Sequence, residues 1–297
     1  HRKPQMGGPS KRAVQRETNI QAGLVDLERW LQDLISQGLA SEAVQSYQFW
    51  DEIAARMVDA QAPGLARRLR DCAGLPHSGK DWPERLLAAL GKIHLLVKGY
   101  QRIKTLPSPL QAELRVQVGW TQKKSDLLAL VEEQSGLKGA DSSSVTSVVD
   151  DWHVLGIRIL EEEKLWSQRI WLWGQRSDRP ALLLNFAYGK PDFDSDIPAP
   201  VVDGLGYGAP IQTPDVRLVP GIIFPAELVF YPSAYPLRAM VKQMTGMIKP
   251  LLSLDDGLTV SEPIARYGRT LAQNPWLDRM PFVLNAVIPI QLDSGCY

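Results

Sequence analysis

The apolar residues of this chain keep a three-to-four-residue rhythm as far as about residue 135 and then lose it, so no single kind of element accounts for both parts. Ile20, Leu24, Leu27, Leu31 and Leu34 recur at helical spacing between about Ala13 and Gln37, which lines them up on one face. Gly38 follows as a C-cap. Residues 42–62 repeat the pattern through Val44, Tyr47, Trp50, Ile53 and Met57. In "MVDAQAPGLARRLRDCAGL" the rhythm stops at Pro63 and resumes at once. Proline lacks an N–H and fits the first turn of a helix, so one helix ends here and the next begins. Leu65 and Leu69 then face inward and Arg67, Arg68 and Arg70 point elsewhere. A helix corner with solvated arginines is the first reading, a phosphate site the second. "DWPERLLAALGKIHLLVKGYQRI" offers an N-cap candidate in Asp81, with Pro83 and Glu84 in the first turn. "SPLQAELRVQVGW" and "TQKKSDLLALVEEQ" bring the expected bundle to about six helices.

The linker "GLKGADSSS" separates this text from the rest, where 15 of the 22 prolines lie, beyond residue 150. "RIWLWG" is strand text, "RSDRP" turns the chain and "ALLLNFAYG" returns it, which predicts a hairpin. "AELVFYP" and "FVLNAVIPIQLD" read as further strands, while "PLRAMVKQMTGMIKPLL" and "TVSEPIARYGRTLAQNP" read as short helices or mixed segments. The expected fold is α+β: a flexible basic tail at 1–12, a helical bundle at 13–140, and a β-rich domain at 145–297 with hairpins and long loops.

Lysine plus arginine and aspartate plus glutamate each total 33, so no global charge recruits a polyanion or a membrane surface. No apolar run approaches the roughly 18 residues a bilayer span needs, and "HRKPQMGGPSKR" lacks the apolar core of a signal peptide. Two cysteines, Cys72 and Cys296, build no disulfide framework and predict a reducing, cytoplasmic setting. The start at His1 and the stop at "SGCY" after "VLNAVIPI" predict a piece of a longer product.

Chemistry-bearing motifs are sparse. Cys72 and His77 lie five apart, but a structural zinc needs four ligands, and His1, His94 and His153 have no paired cysteine. Asp192, Asp194, Asp196 and Asp203 have the spacing of a calcium loop, yet Ile197 stands where its glycine should and the last ligand is not glutamate. The reading there is an acidic solvated loop, any ligand left open. "DGLGYGAP" has the wrong spacing for a dinucleotide fingerprint, and Glu161, Glu162 and Glu163 offer a general acid, though a solvated acidic turn or edge is the stronger reading. Trp171 and Trp173 share a strand face; with Trp166 they offer a stacking platform for single-stranded nucleic acid, though core packing is the stronger reading. Arg2, Lys3, Lys11, Arg12 and Arg16, with no acid among the first 16 residues, make the best nucleic-acid candidate. Such a tail binds weakly and with strong salt dependence.

Several stretches together carry a resemblance: "GGPSKRAVQRETNIQAGLVDLERWLQDL", "MVDAQAPGLARRLR", "WPERLLAALGKIHLLVKGYQRI", "LQAELRVQVGWTQ", "QRIWLWG" and "AELVFYPSAYPLRA". Over about residues 7–240 the chain resembles the region downstream of the zinc finger in bacterial SWIM zinc-finger family proteins. The finger itself, Cys-x-Cys followed by Cys-x-His, is not in this sequence, so zinc is expected only in an upstream finger and on no residue here. The resemblance implies a non-enzymatic protein, working with a MoxR-type AAA+ ATPase and a von Willebrand factor A protein. The leading expectation is therefore a non-catalytic interaction or adaptor module. Nucleic-acid binding through the tail and the corner arginines Arg67, Arg68 and Arg70 comes second. An enzyme with an unrecognised site in the loop-rich C-terminal half comes third.

Overall fold

The computed structural model describes residues 11–136, 146–162, 164–193, 218–253, 257–285 and 287. The chain divides into two compact units, His1–Gln122 and Lys123–Tyr297.

The first unit is helical: α1 (Lys11–Gln37), α2 (Tyr47–Asp59), α3 (Pro63–Cys72), α4 (Trp82–Gln101) and α5 (Ser108–Val118). The periodic residues of α1, Ile20 through Leu34, are all buried, as are Trp50, Ile53 and Met57 of α2 and Leu86, Leu90, Ile93, Val97 and Tyr100 of α4. The buried polar atoms of the large aromatics are satisfied: Trp50 Nε1 donates to the Val44 carbonyl at 2.9 Å. Trp120 Nε1 donates to the Tyr100 hydroxyl at 3.0 Å, which itself donates to Glu17 Oε2 at 2.9 Å.

The corner behaves as its proline requires. Pro63 opens α3, and Leu65 and Leu69 are fully buried. Gly64 is there for a close approach: a Cβ on it would lie 2.1 Å from the Gln117 carbonyl oxygen at the end of α5. Gly119, which caps α5 at φ +113°, meets the Pro63 ring from the other side of the same contact. Two helix ends thus touch backbone to backbone, which only paired glycines permit.

The second unit holds α6 (Lys124–Gly136), β1 (Thr146–Glu162), β2 (Leu165–Gly174), β3 (Arg179–Tyr188), β4 (Ile222–Phe230), β5 (Arg238–Met244), β6 (Lys249–Pro250) and α7 (Ser261–Gln273). The strands run in the order β1-β2-β3-β5-β4, and β4 also pairs with β1, so the five close into a barrel with β6 on the β4 edge. All pairings are antiparallel except the short β3–β5 seam. The 17-residue β1 serves two neighbours, β4 along Thr146–His153 and β2 along Trp152–Glu162. An irregularity between Val154 and Gly156 bends it from one to the other. The interior is filled by alternate residues of every strand, among them Trp152, Ile170, Leu172, Leu183, Phe224, Leu228 and Val241.

The structure departs from the sequence reading in several places. The first helix begins at Lys11, so Lys11 and Arg12 lie in its first turn rather than in a tail ending at 12. The helix α6, expected in the bundle out to 140, belongs to the second unit and packs Leu127 and Val131 against Val229, Tyr231 and Met240. The segment around "RAMVKQM", read as a short helix or mixed segment, is strand β5, because Ala239 and Val241 point into the barrel while Met240 points out to α6. Within "FVLNAVIPIQLD" the described residues form no strand, only a single bridge from Leu284 to Leu258, and the remainder lies outside the described residues.

Candidate functional site

Since the interior takes Ile170 and Leu172 from β2 and Ala181 and Leu183 from β3, the residues between them point outward. Register fixes how they line up. Trp171 lies between Gly156 and Leu182, Arg169 between Arg158 and Leu184, and Ser167 between Leu160 and Phe186. Leu165 lies beside Tyr188. The outer face of β1, β2 and β3 therefore carries aromatic and aliphatic groups around two arginines. Much of it is open to solvent: Phe186 is 53% exposed, Tyr188 77% and Leu165 42%. Arg158 is exposed and Arg169 half-buried.

At one end this face runs into a cleft of about 550 Å³, floored by Trp171, Gly156 and Leu155 and walled by Tyr267, Met280, Pro281 and Phe282. Asp278 and Arg279 stand at its wall. The site owes its openness to Gly156, beside which no atom lies within 4 Å of a would-be Cβ. The Tyr267 hydroxyl donates to the Leu277 carbonyl at 3.0 Å, which ties α7 to the segment that follows it. Burial, and next the charge of Asp278, raise its pKa. The β2–β3 turn is braced by Asp150, whose buried carboxylate accepts the Arg176 and Ser177 N–H groups at 3.0 and 2.8 Å. Burial draws that carboxyl upward, but these bonds and those from the Ser177 side chain and the Asp151 N–H outweigh it and hold it below the ordinary carboxylate value. His153, on the outer side of β1 beside Trp173 and Ile223, is buried, with neither ring nitrogen bonded to a described residue.

The residues singled out in the sequence are distributed differently. Arg2 and Lys3 lie outside the described residues. Arg16 is committed within the helical unit: its guanidinium donates to the Gly119 and Gln61 carbonyls at 2.9 and 3.3 Å and lies 4.3 Å from the Trp120 ring centroid. Arg68 donates to Gln117 Oε1, so both arginines converge on the C-terminal end of α5, where the helix dipole favours cations. Arg70 pairs with Asp51 at 3.3 Å and Arg67 is exposed.

Cys72 is in the bundle core, its thiol pushed up to about 12 by burial and then by Asp71. His77 is on the surface, stacked on Tyr47. Among the described residues, no three or more His, Cys, Asp or Glu groups gather to hold a metal ion. Asp192 is exposed, while Asp194, Asp196 and Asp203 lie outside the described residues.

Of the three tryptophans, Trp173 is buried with the Arg266 guanidinium 5.0 Å from its ring, Trp166 is half-buried, and Trp171 floors the cleft. Core packing thus describes Trp173 and not Trp171. Phe186 and Tyr188 were not singled out from the sequence, although the outward alternation Leu182, Leu184, Phe186, Tyr188 in "ALLLNFAYG" was there to find.

No helix among the described residues is long and apolar enough to cross a membrane. Residues 15–118 match the SWIM-associated four-helix bundle domain. The helical unit described above covers that span with five α-helices. No curated protein and no solved structure matches the chain.

Proposed function

With residues 15–118 a SWIM-associated four-helix bundle domain, we propose that this chain is a non-catalytic recognition module of a SWIM-family protein. In this reading the helical unit is the family's common part and the barrel is the part that recognises. The protein acts as the adaptor, or substrate-recognition partner, of an ATPase system. A MoxR-type AAA+ ATPase and a von Willebrand factor A protein, the partners implied by the sequence resemblance, engage the chain away from the recognition face. The observation that supports this reading is the outer face of β1, β2 and β3, with Leu165, Phe186 and Tyr188 held in one exposed patch. Exposed apolar residues scattered singly need no explanation, whereas a contiguous aromatic patch marks a binding surface. The cleft beside it is lined chiefly by aromatic and aliphatic groups, which suits holding a ligand more than transferring a proton.

In-cell photocrosslinking tests the reading. A benzophenone amino acid in place of Phe186 is expected to give a discrete adduct in the native host, and the same group in place of Leu87, an exposed residue of the bundle, is expected to give none. Equal crosslinking from both positions, or none from Phe186, contradicts it.

A further inference from the structure

We infer that the outer face of β1, β2 and β3 takes a single strand of nucleic acid, its bases stacking on Trp171, Phe186 and Tyr188 and its phosphates meeting Arg158, Arg169 and Arg279. The inference rests on the recognition reading above and names the ligand of that face.

Three observations carry it. The first is the aromatic track. Phe186 and Tyr188 are two apart on one side of β3, about 7 Å along the strand, and both present ring surface to solvent. Trp171 continues the track into the cleft, three register rows from Tyr188. From the Trp171 row to the Leu165–Tyr188 row is about 20 Å of strand, the footprint of roughly four nucleotides, which is the short end of what one such barrel covers. Every base has a flat face, so a row of accessible rings binds single strands with little sequence preference; a duplex keeps those faces stacked inside.

The second is charge. Arg158 and Arg169 sit opposite each other at the middle of the track, and Arg279 stands at the cleft. Asp278 stands beside Arg279 at the cleft, while Glu161, which pairs with Trp166, is on the other face of the sheet, so the paired arginines are the point where a phosphate is drawn. An apolar protein segment would use the aromatic track but has no need of two arginines in its middle.

The third is topology. The order β1-β2-β3-β5-β4 closed by β1–β4, with β3–β5 parallel, is that of the oligonucleotide- and oligosaccharide-binding barrel, whose ligands lie across its second and third strands. That likeness is of fold alone, and the residues on the face carry the chemistry.

Fluorescence anisotropy of the whole chain with labelled 20-mer oligo-dT at two salt concentrations tests the inference. Binding tighter than about 10⁻⁵ M at 150 mM salt is expected, beyond the middle of the usual non-specific range. Phe186→Ala with Tyr188→Ala is expected to weaken it at least tenfold, since each stacked base is worth about 1–3 kcal/mol. Both residues are exposed, so the fold survives their loss. Gly156→Leu, which adds a side chain to the cleft that Gly156 and Trp171 line, is expected to weaken binding severalfold as an independent check. Arg158→Ala should lower the slope of log affinity against log salt by about 0.7. Arg67→Ala with Arg70→Ala, on the bundle, should change nothing.

Failure of the oligonucleotide to bind at 100 µM overturns the inference, as does equal affinity for a duplex of the same length. Binding that ignores the Phe186 and Tyr188 substitutions overturns it too. A chain that ignores oligonucleotides while a protein crosslinks from position 186 overturns it and leaves the recognition reading standing.

Discussion

Gly64 shows how much a single position can dictate in this chain. Its missing Cβ lets the start of α3 touch the end of α5, where Gln117, Val118 and Gly119 leave no room for a methyl group. Backbone cannot swing aside as a side chain can, so Gly64→Ala must part the two helices. A loss of about 1–3 kcal/mol or more is expected from overpacking, measured by urea denaturation; a stability equal to wild type would show that the contact is slack. Asp150 works through charge instead. Its carboxyl is held below the ordinary value in the folded chain. The stability it contributes is complete above the unfolded carboxylate range, near pH 4, and is lost as pH falls through the folded value. Asp150→Asn is therefore expected to cost about 1.5–3 kcal/mol at pH 7, with the gap to wild type narrowing towards pH 3. A gap of the same size at both pH values would mean that shape, not charge, braces the β2–β3 turn. Both residues looked ordinary in the sequence. Pro63 and the leucines that follow it announced a corner, but only a fold can say that Gly64 meets Gly119, 55 positions away in the chain.

Among the elements, local periodicity was a sound guide wherever one element buries one stripe. The helices α1, α4 and α5 and the β2–β3 hairpin were legible because their apolar spacing, proline starts and turn residues agree. The strand β5 was not, because "RAMVKQM" is buried on both sides, inside the barrel and under α6, and a short run apolar on both sides has no single period. The helix α6 was legible as a helix and misplaced as a neighbour: its sequence says what it buries and not against what. Its contacts with Val229, Tyr231 and Met240 give a test at this scale. Leu127→Ala, at a position 2% exposed, is expected to cost about 2–5 kcal/mol and to raise hydrogen exchange along β4 and β5. Faster exchange in α1 to α5 with β4 and β5 unchanged would return α6 to the bundle.

At the scale of the whole chain, the division of labour follows from what each unit does with its charged and aromatic residues. In the helical unit Arg16 and Arg68 are drawn onto the end of α5 and Arg70 onto Asp51, so these three of the basic residues prominent in the sequence are used in holding helices. In the barrel, closing five strands leaves alternate residues outside, and on β1, β2 and β3 these include the exposed rings and the arginines. Composition could not separate these cases, because it counts charges without showing which face of the fold each of them reaches. The sequence therefore pointed to the N-terminal basic residues as the place a polyanion would bind, and the structure offers a different face. Hydrogen–deuterium exchange of the whole chain, with and without oligo-dT, compares the two directly. Protection is expected along Gly156–Glu162, Leu165–Trp171 and Leu182–Tyr188, with Lys11–Arg16 and Arg67–Arg70 unchanged. Protection confined to those helical segments, with the barrel strands unchanged, would contradict the account.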